Sequence, residues 1–150
     1  MSVLVMIYGQ SGTGKSASLR NFNPEDVAII NVSGKPLPFK SNLKTAVSND
    51  YRRIAKTLKE VSAPSIVIDD ATYLMVDEFM RNAKVTGYQK FTDIAKNFSD
   101  LLKYIADEIP DDIIVYLLHH TQTTSDGKTK AKTVGQMLDN YLTLEGCVDI

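Results

Sequence analysis

The sequence predicts an α/β fold with a mostly parallel sheet and helices on both faces. Five brief runs rich in Val and Ile alternate with stretches of helical periodicity, the rhythm of strand and crossover helix. The runs are apolar throughout rather than alternating, as strands buried on both faces are. The first of them passes through the glycine-rich "GQSGTGKS" directly into residues that favour a helix.

Taken in order, the runs are Val3–Tyr8, Val27–Val32 after the turn-like "NFNPED", Ser65–Asp69 entered through Pro64, Ile113–Leu118 after "PDD", and "CVDI" at the end. The first expected helix is Ser16–Arg20. The second, Asp50–Val61, spaces Tyr51, Ile54, Ala55, Leu58 and Val61 on one face, with Ser48 or Asn49 as its N-cap. Ala71–Ala83 repeats the pattern with Leu74, Met75, Phe79 and Met80. Tyr88–Ile109 carries the strongest stripe, through Phe91, Ile94, Ala95, Phe98, Leu101, Leu102 and Ile105, and Pro110 stops it. Thr121–Thr133, "TQTTSDGKTKAKT", has no apolar anchor and reads as a long loop, a length that in a compact domain usually signals function or disorder.

Composition narrows the class. With 150 residues, 43% hydrophobic and 23% charged, the chain is the size of one domain, residues 1–150, with enough apolar content for a core. No apolar run approaches the roughly 18–20 residues that span a bilayer, and the start lacks the pattern of a secretory signal. The lone Cys147 excludes an internal disulfide and reads as a small buried strand residue. These features point to the cytoplasm. A net charge of −1 lacks the broad basic footprint of a dedicated nucleic-acid binder, so any such contact must rest on local patches. The final run has no polar segment after it, so the chain is expected to continue beyond Ile150.

The glycine loop carries the chemistry. "GQSGTGKS" satisfies G-x-x-x-x-G-K-[ST] at Gly9, Gly14, Lys15 and Ser16. Glycines let the backbone curl until successive N–H groups face inward on phosphate oxygens. The following helix adds its positive end. Gly9, Gln10, Ser11, Gly12, Thr13, Gly14, Lys15, Ser16 and Ala17 thereby form an expected nucleotide cradle, with Lys15 on the β- and γ-phosphates and Ser16 on Mg²⁺. By chance such a match arises in a chain of this length only about once in a hundred or more.

Independent support comes from "SIVIDD". A carboxylate ending a buried strand is costly unless it is paired or bound to a metal. Asp69 is therefore expected on the Mg²⁺ beside Ser16. Asp70 has two readings, a carboxylate that positions water or the N-cap of the next helix. The fourth run ends in "LLHHTQ", and ligands of open parallel sheets sit outside the carboxyl ends of strands. Adjacent strand residues face opposite ways, so one histidine faces the nucleotide, and His120 is favoured. Two histidines as zinc ligands lack further ligands at suitable spacing.

With these residues assembled, the chain resembles the P-loop NTPases that carry an extra strand between the phosphate loop and the Walker B strand, the RecA-like and AAA-type ATPases. Closer still, it is similar to the phage-encoded, RecA-like Sak-class ATPases of single-strand annealing and recombination. The resemblance spans nearly the whole chain, through "MIYGQSGTGKS", "SIVIDDATYL", "YQKFTDIAKNFSDLLKYI", "DDIIVYLLHHTQ" and "KTKAKTVGQMLDNYLTLEG". It implies a three-layer sandwich with five strands in the order 5-1-4-3-2 and binding and hydrolysis of ATP with Mg²⁺. It also implies a ring or filament of identical subunits, single-stranded DNA as partner and a bacterial host cell as the setting. Lys128, Lys130 and Lys132 then fall where RecA-like proteins carry a DNA-binding loop, although three lysines in a loop also suit a solvated surface.

The departures are specific. RecA-like enzymes place a glutamate after the second strand, where this chain reads "NVSGKPLPFK". The AAA pattern puts an acid directly after Walker B, the place of Asp70, so Asp70 is the expected catalytic carboxylate beside Lys15 and His120. No arginine suits an arginine finger, and Lys35 is the stand-in from a neighbouring subunit. Two other functions stay open, an AAA-type loader or remodelling factor acting on protein complexes and a nucleotide-gated binding protein with negligible turnover. The absence of N-K-x-D leans toward ATP over GTP.

Overall fold

A computed structural model describes residues 2–135 and 143–150. Residues 136–142, within the last of the stretches that carry the resemblance, lie outside the described residues. The element order is β1 (Val3–Gly9), a 3₁₀ helix (Ser16–Asn21), β2 (Val27–Asn31), β3 (Lys44–Val47), α1 (Tyr51–Glu60), β4 (Ser65–Asp69), α2 (Thr72–Arg81), α3 (Gln89–Glu108), β5 (Ile114–Thr123), β6 (Thr129–Ala131) and a second 3₁₀ helix (Leu144–Cys147).

The strands make one sheet in the order β1-β5-β4-β2-β3, parallel throughout, with β6 antiparallel on β5. The fold is thus α/β with a mostly parallel sheet. β2 is buried along its whole length and β4 nearly so, which is why their sequences are unbroken apolar runs. The first four runs take the relative order expected of them, but the five-strand order does not hold. Lys44–Val47 adds an edge strand beside β2 that no apolar run announced. It is mostly exposed, and a sheet edge of that kind tolerates Lys and Thr. The fifth run forms no strand: Leu144–Cys147 is a 3₁₀ turn, and the following residues reach β1 through Asp149 N–H and Ile150 N–H to Leu4 O at 2.9 and 3.4 Å, Leu4 N–H to Asp149 Oδ2 at 2.8 Å and Met6 N–H to Ile150 O at 2.8 Å. Cys147 is accordingly exposed in that turn, not buried in a strand.

The helices are not shared evenly between the faces. Ile54 and Leu58 of α1, Leu74 and Met75 of α2, and Ile94, Phe98, Leu102 and Ile105 of α3 pack in one cluster with Leu4, Met6, Ile66, Ile68, Val115 and Leu117 of the strands. The opposite cluster, Val27, Ile29, Val67 and Leu118, is covered by Leu19 and Phe22 of the first 3₁₀ helix region and by Leu37, Phe39 and Leu43 of the β2–β3 loop. The thinness of this layer has a local cause. Only a short serine-containing segment separates the glycine loop from the turn at Asn23–Pro24, too little for an α-helix to propagate, and it closes as 3₁₀.

Two boundaries differ in detail. Helix α1 is capped by Asp50, whose carboxylate accepts Arg52 N–H at 2.8 Å, rather than by Ser48 or Asn49. The expected loop 121–133 is mostly a hairpin, in which β5 runs on to Thr123, turns at Gly127 with φ of +82°, and returns as β6. Its β-branched threonines suit strands despite their polarity. No helix among the described residues is long and apolar enough to cross a membrane.

Candidate functional site

Because β1, β5, β4 and β2 run parallel, their carboxyl ends lie along one edge of the sheet. Gly9 is opposite His120 in the β1–β5 register, and Asn31 is opposite Asp69 in the β2–β4 register. A cleft of about 600 Å³ opens at this edge. Ser11, Gly12, Gly14, Lys15, Ser16 and Ala17 form one wall. Asp69, Asp70, His120, Thr72 and Tyr73 form its floor and far side, and Lys35 and Lys132 flank it.

The glycine loop has the curvature its sequence demands. Gly12 and Gly14 have φ of +79° and +93°, a region that costs a side chain free energy. Gly9, Gln10 and Thr13 do not line the cleft but hold the loop's shape. Lys15 Nζ donates to Gly9 O and Gln10 O at 2.8 Å each, and Thr13 Oγ1 donates to Gln10 O at 2.7 Å. A Cβ on Gly9 would stand 2.8 Å from Thr13 Oγ1, so the close approach at the loop's start needs glycine as well. Lys15 thus spans the loop, and its ammonium rests on carbonyls that an incoming anion can replace. Burial lowers its pKa, while Asp70 and Asp69 pull it back up.

At the base of the cleft Ser16 Oγ lies 2.9 Å from both carboxylate oxygens of Asp69. Asp69 is 4% exposed. Burial raises its pKa, and the Ser16 hydroxyl opposes that rise. A hydroxyl and a carboxylate are hard oxygen donors suited to Mg²⁺, which takes one or two such protein ligands together with phosphate oxygens. No group of three or more His, Cys, Asp and Glu side chains gathers among the described residues to hold a metal by itself. The donor set therefore fits a cation that arrives with a phosphate.

Asp70 is the one non-glycine residue with positive φ among the described residues, at +57°. Its carboxylate does not cap α2; no side chain does. It turns instead to Ser33, whose Oγ donates to Oδ2 at 2.6 Å, and to His120, whose Nε2 lies 3.4 Å from Oδ1. Aspartate tolerates the left-handed region better than most residues, and here the twist aims the carboxylate along the cleft. His120 N–H donates to Thr72 Oγ1 at 2.8 Å, and its ring meets Tyr73 edge-on at 5.9 Å. Burial and then Lys15 lower its pKa, which favours the neutral ring against the pull of the Asp70 carboxylate. His119 points away, fully buried against Phe98. Of the two histidines, His120 is the one that lines the cleft.

The three lysines of the polar segment part company. Lys128 stands near the hairpin turn, 3.7 Å from Asp126, and Lys130 lies on β6, whereas Lys132 lines the cleft. Lys35 lines it from the same chain. Sequence reading missed Ser33, Thr72 and Tyr73. The rule that ligands sit beyond strand ends points to Ser33, two residues past β2, but a serine there carries no motif. No protein-family model matches the sequence, and no curated protein matches it significantly.

Proposed function

We propose that this chain is a Mg²⁺-dependent ATP-binding protein of the P-loop NTPase class, RecA-like or AAA-type, that hydrolyses ATP in phage DNA recombination or single-strand annealing. One observation carries the nucleotide half. The serine that ends "GQSGTGKS" and the aspartate that ends "SIVID" are far apart in sequence, yet 2.9 Å apart at the base of a cleft walled by the glycine loop. In this reading the loop amides and Lys15 hold the phosphates, and Ser16 and Asp69 hold Mg²⁺. The metal supplies charge neutralisation between the phosphates. Asp70 orients water, held in place by Ser33, while His120 offers Nε2 beside it.

The DNA half rests on the resemblance and on the β5–β6 hairpin, which carries Lys128 and Lys130 at the cleft's edge of the sheet. Assembly into a ring or filament rests on the resemblance alone. A nucleotide-gated binding protein with negligible turnover is the second reading, favoured by the engagement of Asp70: one oxygen already accepts Ser33 Oγ–H at 2.6 Å.

ATP hydrolysis measured with and without single-stranded DNA, alongside the assembly state, tests these assignments together. Turnover stimulated by DNA supports the full reading. Hydrolysis indifferent to DNA, with no oligonucleotide shift, removes the DNA half. Tight Mg-ATP binding without phosphate release selects the slow-turnover reading. Lys15→Ala is expected to abolish thermal stabilisation by Mg-ATP, and stabilisation retained in that variant would overturn the loop assignment.

A further inference from the structure

Three lysines line the cleft, yet only Lys15 belongs to the glycine loop. The other two come from opposite flanks, each on backbone that the structure pins. The peptide of Lys132 is clamped by both histidines of β5: Lys132 N–H donates to His120 O at 2.8 Å, and Lys132 O accepts His119 Nε2–H at 2.7 Å. On the other flank, Asn31 Nδ2 donates to Lys35 O at 2.6 Å and Asn31 Oδ1 accepts Gly34 N–H at 3.0 Å. Gly34 sits at φ of +74°, a turn that returns the chain toward the cleft. Lys35 Nζ lies 5.2 Å from the centre of the Tyr73 ring, on the cleft wall.

Charge gives these positions a consequence. Among the described residues that line the cleft, with His120 held toward its neutral form, Lys15 alone faces two carboxylates, Asp69 and Asp70, and their sum is net negative by one. A cleft of that sign repels a phosphate ligand whose own charge Mg²⁺ only partly cancels. Lys35 and Lys132 turn the cleft net positive by one. Lysine suits such a role, a compact charge on a flexible stem that follows a phosphate without demanding a fixed fork geometry.

We propose that Lys132 and Lys35 of the same chain bind the terminal phosphate and make the site prefer a nucleoside triphosphate to a diphosphate, without a cation from a neighbouring subunit. This rests on the nucleotide reading above and deepens it. It also assigns Lys132 to the phosphate rather than to nucleic acid, and Lys35 to its own cleft rather than to a partner's.

The test uses the full chain with Mg²⁺ and compares affinity for a β,γ-imido ATP analogue and for ADP. Lys132→Gln and Lys35→Gln are each expected to weaken the triphosphate about three- to tenfold, leaving ADP within about twofold, because both ammonium groups are partly solvated. The double variant loses most of the preference, Lys132→Arg restores part of it, and the loss shrinks in high salt. Lys96→Gln, on the exposed face of α3, changes neither affinity. Equal loss for both nucleotides overturns the proposal, as does an unchanged triphosphate affinity, including the case in which Lys132→Gln weakens only oligonucleotide binding. A failure of the underlying reading has a different signature. The unmodified protein then binds neither nucleotide, Lys15→Ala changes nothing, and both proposals fall together.

Discussion

At the scale of single residues, the pair at the base of the cleft is the most sensitive point. Asp69 is a buried carboxylate whose side-chain donor is one hydroxyl, Ser16 Oγ, 2.9 Å from each of its oxygens. Removing a donor from a buried acceptor costs its desolvation without compensation, about 1–3 kcal/mol. Ser16→Ala is therefore expected to lower the melting temperature of the protein without nucleotide, a loss that thermal denaturation with no added Mg²⁺ measures. Ser16→Thr keeps the hydroxyl and is expected to keep most of the stability. A melt unchanged in Ser16→Ala would mean that the Asp69 carboxylate finds another donor. Gly12 and Gly14 lie beside this pair, and the curl that their positive φ produces was readable from the glycines of "GQSGTGKS". The positive φ of Asp70 was not, because sequence offered a helix cap as an equally good use for the same aspartate.

At the scale of elements, the apolar signal located what is buried and was silent about what is not. The first three runs are strands to within a residue, the fourth is the start of β5, which runs on past Leu118 to Thr123, and the three long amphipathic patterns are α1, α2 and α3. Edge strand β3 and hairpin strand β6 escaped because an exposed strand need not be apolar, and threonine-rich "TQTT" looks like loop when polarity alone is weighed. The "CVDI" run misled for the converse reason: it is apolar enough for a strand, but its pairing with β1 is too brief to make one. The helical layer holds one group its stripe conceals. Glu78 of α2 is buried facing α3, with Oε1 accepting Asn97 Nδ2–H at 2.5 Å and Oε2 without a partner among the described residues. Burial raises its pKa, against the Asn97 hydrogen bond. An acid whose folded pKa lies above its unfolded value destabilises the fold at higher pH, and the penalty fades as pH falls and the folded state takes the proton. Glu78→Gln is thus expected to stabilise the protein at pH 7 by about 1 kcal/mol, or about 3 °C in Tm. The gain should vanish toward acid pH; a variant less stable than the parent at pH 7 would mean that the charge is needed by Arg81 or Tyr51.

At the scale of the whole molecule, one buried ring joins the helical layer, the sheet and the hairpin. His119 is 0% exposed, packed edge-on against Phe98 of α3, and its Nε2 reaches Lys132 O beyond β6. Because that partner is an acceptor, Nε2 carries the proton and Nδ1 is left bare in the core, without a partner among the described residues. Burial pushes the pKa down to about 4; the bond to Lys132 O and the Glu145 carboxylate pull it up, and His120 and Lys15 push it further down. In the unfolded chain the same imidazole titrates near its ordinary value of 6.5. Between about pH 6.5 and pH 4 the unfolded state therefore binds a proton that the folded state refuses, and stability falls as pH falls. Across the full window the contribution is about 3 kcal/mol, present above pH 6.5 and gone below pH 4. His119→Gln offers an amide N–H toward Lys132 O without a titrating group. Chemical denaturation of both proteins from pH 7.5 to 4 separates this ring from every other acid and base in the chain. The parent is expected to lose stability more steeply, by close to one proton's worth of slope between pH 6 and pH 4.5. Parallel curves would show that His119 is protonated in the folded state, which requires an acceptor for Nδ1 and a core that opens around Phe98.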